Sequence, residues 1–304
     1  MASLGARAIR VMIRVTTKLP AVKAIEGPNL LRNYRRVIDR GEFLFGRLPR
    51  GLARVPVEDR AAAVRGEWVI RNADPSARTV IYYLHGGGYV AGSPAMYRTL
   101  TGAFAARCSA RVFALDYRLA PEHRFPAAVH DAVAGYKWLL AAGIAPHDIA
   151  IAGDSAGGGL ALSTLLALRD AGVVLPAGAV LISPWVDLAA RRESPERANA
   201  GAADRGESRM AQAYVGDRPL NDPLASGLYA DLRGLPPIMI QASTSEMLCD
   251  DAVRLDAKAR AAGVDSRLRL WDGVPHVWHI FARLRESREA FEDIAGFVAR
   301  ATQR

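Results

Sequence analysis

Residues 149–158 decide the fold, and they read Ile149-Ala150-Ile151-Ala152-Gly153-Asp154-Ser155-Ala156-Gly157-Gly158. An apolar run typical of a buried strand leads into Gly-x-Ser-x-Gly, and an Ala/Leu-rich stretch typical of a helix follows. A serine at such a strand–turn–helix junction is the pattern of a nucleophile elbow, where glycines allow strand and helix to approach closely. The pattern predicts that Ser155 is a strained, solvent-facing nucleophile. The competing interpretation is a glycine-rich turn with an incidental serine.

Composition sets the broad class of the protein. The chain has 304 residues and is 50% hydrophobic, which suffices for a large core in one α/β domain with an appendage or in two domains. A formal net charge of +9 raises the question of nucleic-acid binding. The arginines are scattered along the chain and form no run with interleaved aromatic residues, so we expect no nucleic-acid partner.

The two cysteines, Cys108 and Cys249, lack the spacing of a metal site, a redox motif or a disulfide framework. We expect them to be buried thiols in a reducing compartment. In the absence of targeting signals we expect a cytoplasmic protein, and we expect neither a metal nor a cofactor. No stretch of the sequence approaches the length of a transmembrane helix.

Residues 1–25 contain no acidic residue and five basic ones, and their apolar residues recur at helical spacing. The favoured interpretation is an amphipathic helix that packs on the same protein. A helix lying on a membrane surface and a targeting presequence have the same pattern, so peripheral membrane contact through this N-terminal helix stays open.

Short apolar runs alternate with helical segments after a largely helical region at residues 1–55. The predicted strands lie at 66–71, 79–84, 110–115, 149–152, 179–182, 237–242 and 266–271, the first of them at a sheet edge. Near-continuous apolar strands separated by helices indicate a mostly parallel sheet covered on both faces. The sequence therefore predicts an α/β fold.

The stretch 189–216 has no strand pattern and is rich in Arg, Glu, Ala and Ser. An insertion over the carboxyl edge of the sheet, where open α/β sheets bind ligands, explains its position between two strands. Together with residues 1–55 it would form a helical cap. We divide the chain into N-terminal cap helices at 1–55, core at 56–188, a cap insertion at 189–220 and further core at 221–304.

A serine hydroxyl needs a base to take its proton, and the base needs a third group to orient it. In chains with a nucleophile elbow the order is serine, acid, histidine. Only His276 and His279 follow Ser155 in this sequence. His276 lies in a loop after the last predicted strand, at the carboxyl edge of the sheet, and is the favoured base. His279 is the alternative and is placed on the first turn of the final helix.

The acid should follow the predicted strand at 237–242. Glu246 is the first acidic residue after that strand and is favoured. Asp250 and Asp251 remain alternatives, although they have the position of first-turn acids in the next helix, where negative charge favours the helix dipole.

The segment His85-Gly86-Gly87-Gly88 follows directly on a predicted buried strand. Three glycines there expose backbone amides, which an oxyanion needs because its charge is otherwise unpaired in a dry site. We therefore expect the amides of Gly87, Gly88 and Ala156 to form an oxyanion hole. A phosphate-binding loop is the competing interpretation, but the Lys-Ser/Thr ending of such loops is missing.

Several further segments match one known family. They are His85-Gly86-Gly87-Gly88-Tyr89, Asp116-Tyr117-Arg118-Leu119-Ala120-Pro121-Glu122, Phe125-Pro126-Ala127-Ala128 with Asp131, Ser183-Pro184-Trp185-Val186-Asp187-Leu188, and Asp222-Pro223-Leu224-Ala225-Ser226 before Leu235-Pro236-Pro237. From about residue 66 to the C-terminus, the chain resembles the hormone-sensitive-lipase-like branch of the α/β-hydrolases, also called bacterial family IV esterases. The N-terminal helices agree in kind but carry no motif.

The resemblance implies Ser155 as nucleophile, His276 as base and Glu246 as the acid. Many members carry Asp at the acid position or a Gly-Ser-Asp-Glu run, whereas this chain has Ser243-Thr244-Ser245-Glu246. The family also implies the α/β-hydrolase fold, a cap built from the N-terminus and the insertion, and a carboxylesterase activity on short- to medium-chain esters. Edge-to-edge dimers occur among its members, so a homodimer is consistent with the resemblance.

Other functions remain open at this point. Tyr89 and Trp185 are expected either as walls of the substrate pocket or as ordinary core aromatics. The same machinery would hydrolyse amides, as in an arylformamidase-like enzyme. A long-chain lipase is disfavoured because no broad apolar surface stretch stands out. A small-molecule receptor on this fold is disfavoured because such proteins typically lose the serine or the histidine.

Overall fold

The computed structural model describes residues 3–7, 9, 29–190 and 201–302. Within these ranges the strands are β1 (Leu52–Asp59), β2 (Val64–Arg71), β3 (Val80–Leu84), β4 (Arg111–Leu115), β5 (Ile149–Asp154), β6 (Gly178–Ile182), β7 (Ile238–Ser243) and β8 (Ser266–Trp271). The main helices are α1 (Leu30–Phe45), α2 (Arg98–Arg107), α3 (Ala127–Ala141), α4 (Ala156–Asp170), α5 (Gly201–Val215), α6 (Cys249–Ala261) and α7 (Arg285–Thr302).

The strands form one sheet in the order β1-β2-β4-β3-β5-β6-β7-β8. The pairs β1–β2 and β2–β4 are antiparallel, and every other neighbouring pair is parallel. The predicted α/β fold with a mostly parallel sheet is therefore confirmed.

Helices cover both faces of the sheet, which explains the continuous apolar strands. Every residue of β3 is buried. Tyr82 and Leu84 belong to one core cluster, together with residues of α3, α4 and α6. Ile81 and Tyr83 belong to a second core cluster, together with residues of α2 and α7. Successive side chains of a strand point to opposite faces of the sheet. A strand between two helical layers is therefore buried on both faces, and its sequence is apolar throughout.

Two sequence predictions at the N-terminal side are wrong. Residues 52–55 belong to strand β1 and not to the helical region predicted up to residue 55. The strand predicted at 66–71 is part of β2, and β1 forms the sheet edge beside it. β1 is mostly exposed and contains Pro56, which edge strands tolerate, so it lacks the apolar pattern that identified the other strands.

The structure describes part of the two regions predicted to form a cap. The helices α1 and α5 lie in the two regions predicted to form it, 1–55 and 189–220. Most of the amphipathic N-terminal stretch lies outside the described residues, and so do residues 191–200. The domain boundaries and the membrane contact stay predictions. None of the helices in the described ranges is long and apolar enough to cross a membrane.

The parallel register brings several strand ends to the same edge of the sheet. Leu84 pairs with Gly153, and Asp154 pairs with Ile182. Ser243 pairs with Trp271 at the ends of β7 and β8. The segments that follow β3, β5, β6, β7 and β8 therefore all begin at one carboxyl edge.

We predict that Gly157→Ala destabilises the protein, because a Cβ at this position would overlap the carbonyl oxygens of Leu84 and His85. Overpacking against backbone atoms costs about 1–3 kcal/mol. Thermal unfolding measures the effect. The matched control is Gly296→Ala in α7, where the nearest atom is the flexible Arg300 Nη1 at 3.4 Å. The control should unfold at or above the wild-type temperature, because alanine favours helix. A Gly157→Ala variant as stable as wild type would contradict this account.

Candidate active site

Ser155 occupies the turn between β5 and α4 in a strained backbone conformation, with φ 52° and ψ −122°. Its amide donates to the carbonyl of Ile182 at 2.8 Å, and its carbonyl accepts the amide of Trp185 at 2.9 Å. A non-glycine residue with positive φ persists only where its surroundings over-determine it. The neighbouring strand end and the loop after β6 therefore hold this serine in place.

Glycines on both sides make the turn feasible. A Cβ on Gly153 would overlap the backbone of Gly157, and a Cβ on Gly157 would overlap the end of β3. Because Gly153 and Gly157 have no Cβ, the strand and the helix approach closely. Ser155 therefore lies at the carboxyl edge, where its side chain is only half-buried.

Glu246 and His276 meet at this same edge from the loops after β7 and β8. Glu246 Oε2 lies 2.5 Å from His276 Nδ1, while Glu246 Oε1 accepts the amide of Ser243 at 2.7 Å. The carboxylate is 2% exposed, whereas the imidazole is 43% exposed. A buried carboxylate of this kind fixes both the orientation and the tautomer of a histidine ring.

Hydrogen bonds between the two loops fix this pair. Ser243 Oγ donates to the carbonyl of Val274 at 2.6 Å, and the amide of Thr244 donates to the carbonyl of Trp271 at 3.0 Å. The loop that carries His276 is thereby tied to the loop that carries Glu246.

His276 also acts electrostatically on the residue that precedes the serine. Burial raises the pKa of Asp154, the residue before Ser155, to about 6, and the charge of His276 acts in the opposite direction on that pKa. The imidazole is therefore within electrostatic range of the nucleophile elbow. The turn that carries Ser155 and the loops that carry Glu246 and His276 therefore lie at the same edge of the sheet.

The alternative acids and the alternative base lie elsewhere. Asp251 Oδ2 accepts the amides of Val186 and Asp187 at 3.1 and 3.0 Å, and Asp250 is exposed on the first turn of α6. His279 is fully buried, with its Nε2 2.7 Å from Gln241 Oε1. Burial lowers the pKa of His279 to about 3. Its side chain therefore belongs to the core beneath the sheet edge.

The glycine segment after β3 forms a loop beside Ser155. Gly87 and Gly88 have φ values of +115° and +64°, which glycine adopts without strain. The Gly87 carbonyl accepts the amides of Val90 and Ala91, which closes the turn. Among the described residues, no group accepts a hydrogen bond from the amides of Gly87, Gly88 or Ala156. Three donors therefore remain available beside the serine.

His85, which precedes the glycines, has a structural role, because it is packed against its neighbours. Its ring stacks on Tyr117 with centroids 4.3 Å apart, and the Tyr117 hydroxyl donates to the His85 carbonyl at 2.7 Å. Burial lowers the pKa of His85 to about 4, so the ring is neutral. The segment 116–122 also supports the loop, because the Ala120 amide donates to the Tyr89 carbonyl at 2.9 Å.

The two expected aromatic residues are almost fully buried beside the glycine loop. The rings of Tyr89 and Trp185 are tilted, with centroids 6.1 Å apart. Tyr214 from α5 stacks on Tyr89 with centroids 3.8 Å apart, and Met210 of the same helix lies against Gly88. Sequence reasoning missed these two residues of α5, whose i, i+4 spacing was the available signal.

No group of three or more His, Cys, Asp and Glu side chains lies close enough to hold a metal ion in the part of the chain that the structure describes.

Known proteins are similar to this chain in fold and in sequence. A family model described as an α/β-hydrolase fold matches residues 81–280. An acetyl-hydrolase of Streptomyces hygroscopicus is 43% identical over 274 residues, covering 88% of this chain and 89% of that protein. An esterase of Acinetobacter venetianus is 35% identical over 293 residues, and the match covers 94% of this chain and 93% of that protein.

A crystal structure of an esterase from the bacterial hormone-sensitive lipase family matches with a TM-score of 0.88 at 40% identity, and the match covers 99% of both chains. These similarities extend over nearly the whole sequence and agree with the architecture around Ser155. The chain therefore belongs to the hormone-sensitive-lipase-like, bacterial family IV carboxylesterases of the α/β-hydrolase superfamily, and it is a carboxylic ester hydrolase.

Proposed function

We propose that this esterase hydrolyses short- to medium-chain carboxylic esters through a triad of Ser155, His276 and Glu246 and an acyl-enzyme. The observation that carries the proposal is the 2.5 Å contact between His276 Nδ1 and Glu246 Oε2. With Nδ1 occupied by the carboxylate, Nε2 is the ring nitrogen left to take a proton from the serine.

In the first half-reaction, Ser155 Oγ attacks the ester carbonyl carbon while His276 accepts the hydroxyl proton. The tetrahedral intermediate collapses, the bond to the alcohol oxygen breaks, and His276 returns the proton to that oxygen. In the second half, His276 takes a proton from water, which attacks the acyl carbon. The same proton then returns to Ser155 Oγ as the carboxylic acid leaves.

Glu246 acts by orienting the imidazole and stabilising its positive charge. Its own position is fixed by the Ser243 amide at the end of β7, so the carboxylate does not rotate away from the ring. Glutamate is one methylene longer than aspartate, and its Oε1 reaches the amide of Ser243 at the end of β7.

The amides of Gly87, Gly88 and Ala156 hold the oxyanion of the tetrahedral intermediate. Preorganised donors that need no rearrangement as charge develops are among the largest contributions to catalysis. Ala156 lies at the N-terminus of α4, where the helix dipole adds to the attraction. The positive φ angles of Gly87 and Gly88 support this assignment, because they turn the chain sharply beside the serine.

The preference for short to medium acyl chains rests on two supports. The relative from Streptomyces hygroscopicus is named an acetyl-hydrolase. In this chain, the glycine loop is bordered by Tyr89 and Trp185, and α5 places Met210 against Gly88. Large side chains packed this closely around the proposed oxyanion hole favour a small acyl group.

We predict that initial rates on p-nitrophenyl esters peak at acetate or butyrate and fall towards palmitate. Ser155→Ala should lose about 10³-fold or more of kcat, because the nucleophile is removed. The variant should unfold at the wild-type temperature. Turnover of N-acyl anilides without turnover of any ester would favour amide hydrolysis. An active Ser155→Ala variant would show that the nucleophile is another residue.

We predict that Glu246→Gln lowers kcat by about 10²–10⁴-fold with little change in KM, because an amide neither holds the correct tautomer nor stabilises the imidazolium. Steady-state kinetics on p-nitrophenyl butyrate measure both parameters. Asp250→Asn, four residues away on the first turn of α6, is the matched control and should retain wild-type activity. A fully active Glu246→Gln variant together with an inactive Asp250→Asn or Asp251→Asn variant would move the acid to α6.

A further inference from the structure

A second carboxylate lies at the site and has no part in the proposed triad. Asp154 ends β5, immediately before Ser155, and is 1% exposed. Its Oδ1 accepts the amide of Gly86 at 2.9 Å and also the hydroxyl of Tyr83. The carboxylate thus joins two chain segments that are 68 residues apart in the sequence.

The surroundings of Asp154 are unfavourable for a charge. Within the described ranges, no arginine or lysine forms an ion pair with it. Burial raises its pKa to about 6, while the hydrogen bonds from Tyr83 and Gly86 and the charge of His276 lower that pKa. Tyr97 and Tyr117 also lie within electrostatic range of it, and burial raises the pKa values of both well above their ordinary range, so both stay neutral. An apolar side chain would avoid the cost of burying this carboxylate.

The position of Asp154 in the chain shows which two parts of the site its hydrogen bond connects. Gly86 is the residue before Gly87 and Gly88, and Asp154 is the second residue before Ala156. The bond from the Gly86 amide therefore links the loop that carries two of the proposed oxyanion donors to the turn that carries the third donor and the nucleophile. Gly86 itself approaches so closely that a Cβ would overlap Asp154 Oδ2.

We propose that Asp154 is a positioning residue, which fixes the glycine loop relative to the nucleophile elbow by accepting the Gly86 amide. This inference rests on the proposed oxyanion role of Gly87, Gly88 and Ala156. The positioning role of Asp154 requires a hydrogen-bond acceptor at Oδ1 and does not require a negative charge. A displacement of about 1 Å between reacting groups costs as much as 10²-fold in rate, so the bond acts on kcat.

Two isosteric substitutions separate the acceptor from the charge. Asp154→Asn keeps a carbonyl oxygen for the Gly86 amide and removes the charge. Asp154→Leu has nearly the same shape and removes the acceptor. Tyr83→Phe is the matched control, because it deletes the other donor to Oδ1 and leaves the bond from Gly86 intact. All three variants and the wild type are compared by steady-state kinetics on p-nitrophenyl butyrate at pH 8 and by thermal unfolding.

The expected result is a kcat within about threefold of wild type for Asp154→Asn and Tyr83→Phe, and a kcat about 10–100-fold lower for Asp154→Leu with little change in KM. Thermal unfolding shows whether Asp154→Leu is folded at the assay temperature. If Asp154→Leu is unfolded at that temperature, the test is the kcat of Asp154→Asn. A 10-fold or larger loss of kcat in Asp154→Asn means that the negative charge is required, and this overturns the proposal.

A folded Asp154→Leu variant with wild-type kcat would also overturn it. The failure of the proposed function would have a different signature. In that case Ser155→Ala would keep its activity, whereas failure of the positioning role alone leaves Ser155→Ala inactive and Asp154→Leu active.

Discussion

The site depends on the close approach of three backbone segments at the nucleophile elbow. β5, the first turn of α4 and the end of β3 meet where Gly153 and Gly157 have no side chains, and a Cβ at either position would overlap backbone atoms. This contact forces Ser155 into positive φ and places it at the carboxyl edge. The amide of Ala156, the carboxylate of Asp154 and the loop after β6 take their positions from the same turn.

The acid–base pair reaches that edge by a separate route. Glu246 and His276 lie on loops after β7 and β8, and the parallel register of these strands brings the loops together. The pair combines a buried carboxylate with a half-exposed imidazole. The low polarity around Glu246 strengthens its interaction with a protonated ring, while the exposed ring edge can exchange protons with substrate and water.

The parts of the fold that the sequence predicted are those with strong local signals. β3, β5 and β6 are buried on both faces and therefore read as apolar runs. The placement of Ser155, Glu246 and His276 at one edge followed from chain order and from strand ends. β1 was missed because an exposed edge strand with a proline needs few apolar residues.

Contacts between residues far apart in the sequence determine the features of the site that the sequence did not predict. His276 and His279 are three residues apart, and only the fold buries one against Gln241 while bringing the other to Glu246. The contact of Asp154 with Gly86 likewise depends on the neighbouring positions of β3 and β5 in the sheet. The stacking of Tyr214 on Tyr89 depends on where α5 lies, which an Arg- and Ala-rich stretch does not indicate.

The measurement that tests the central claim most directly is covalent trapping of the nucleophile. The folded protein is incubated with diethyl p-nitrophenyl phosphate, and intact mass and peptide mapping locate the diethylphosphoryl group after nitrophenolate leaves. We predict one adduct per chain, on Ser155, with loss of esterase activity in step with labelling. Labelling at a different residue, or full inactivation without any adduct on Ser155, would contradict the account.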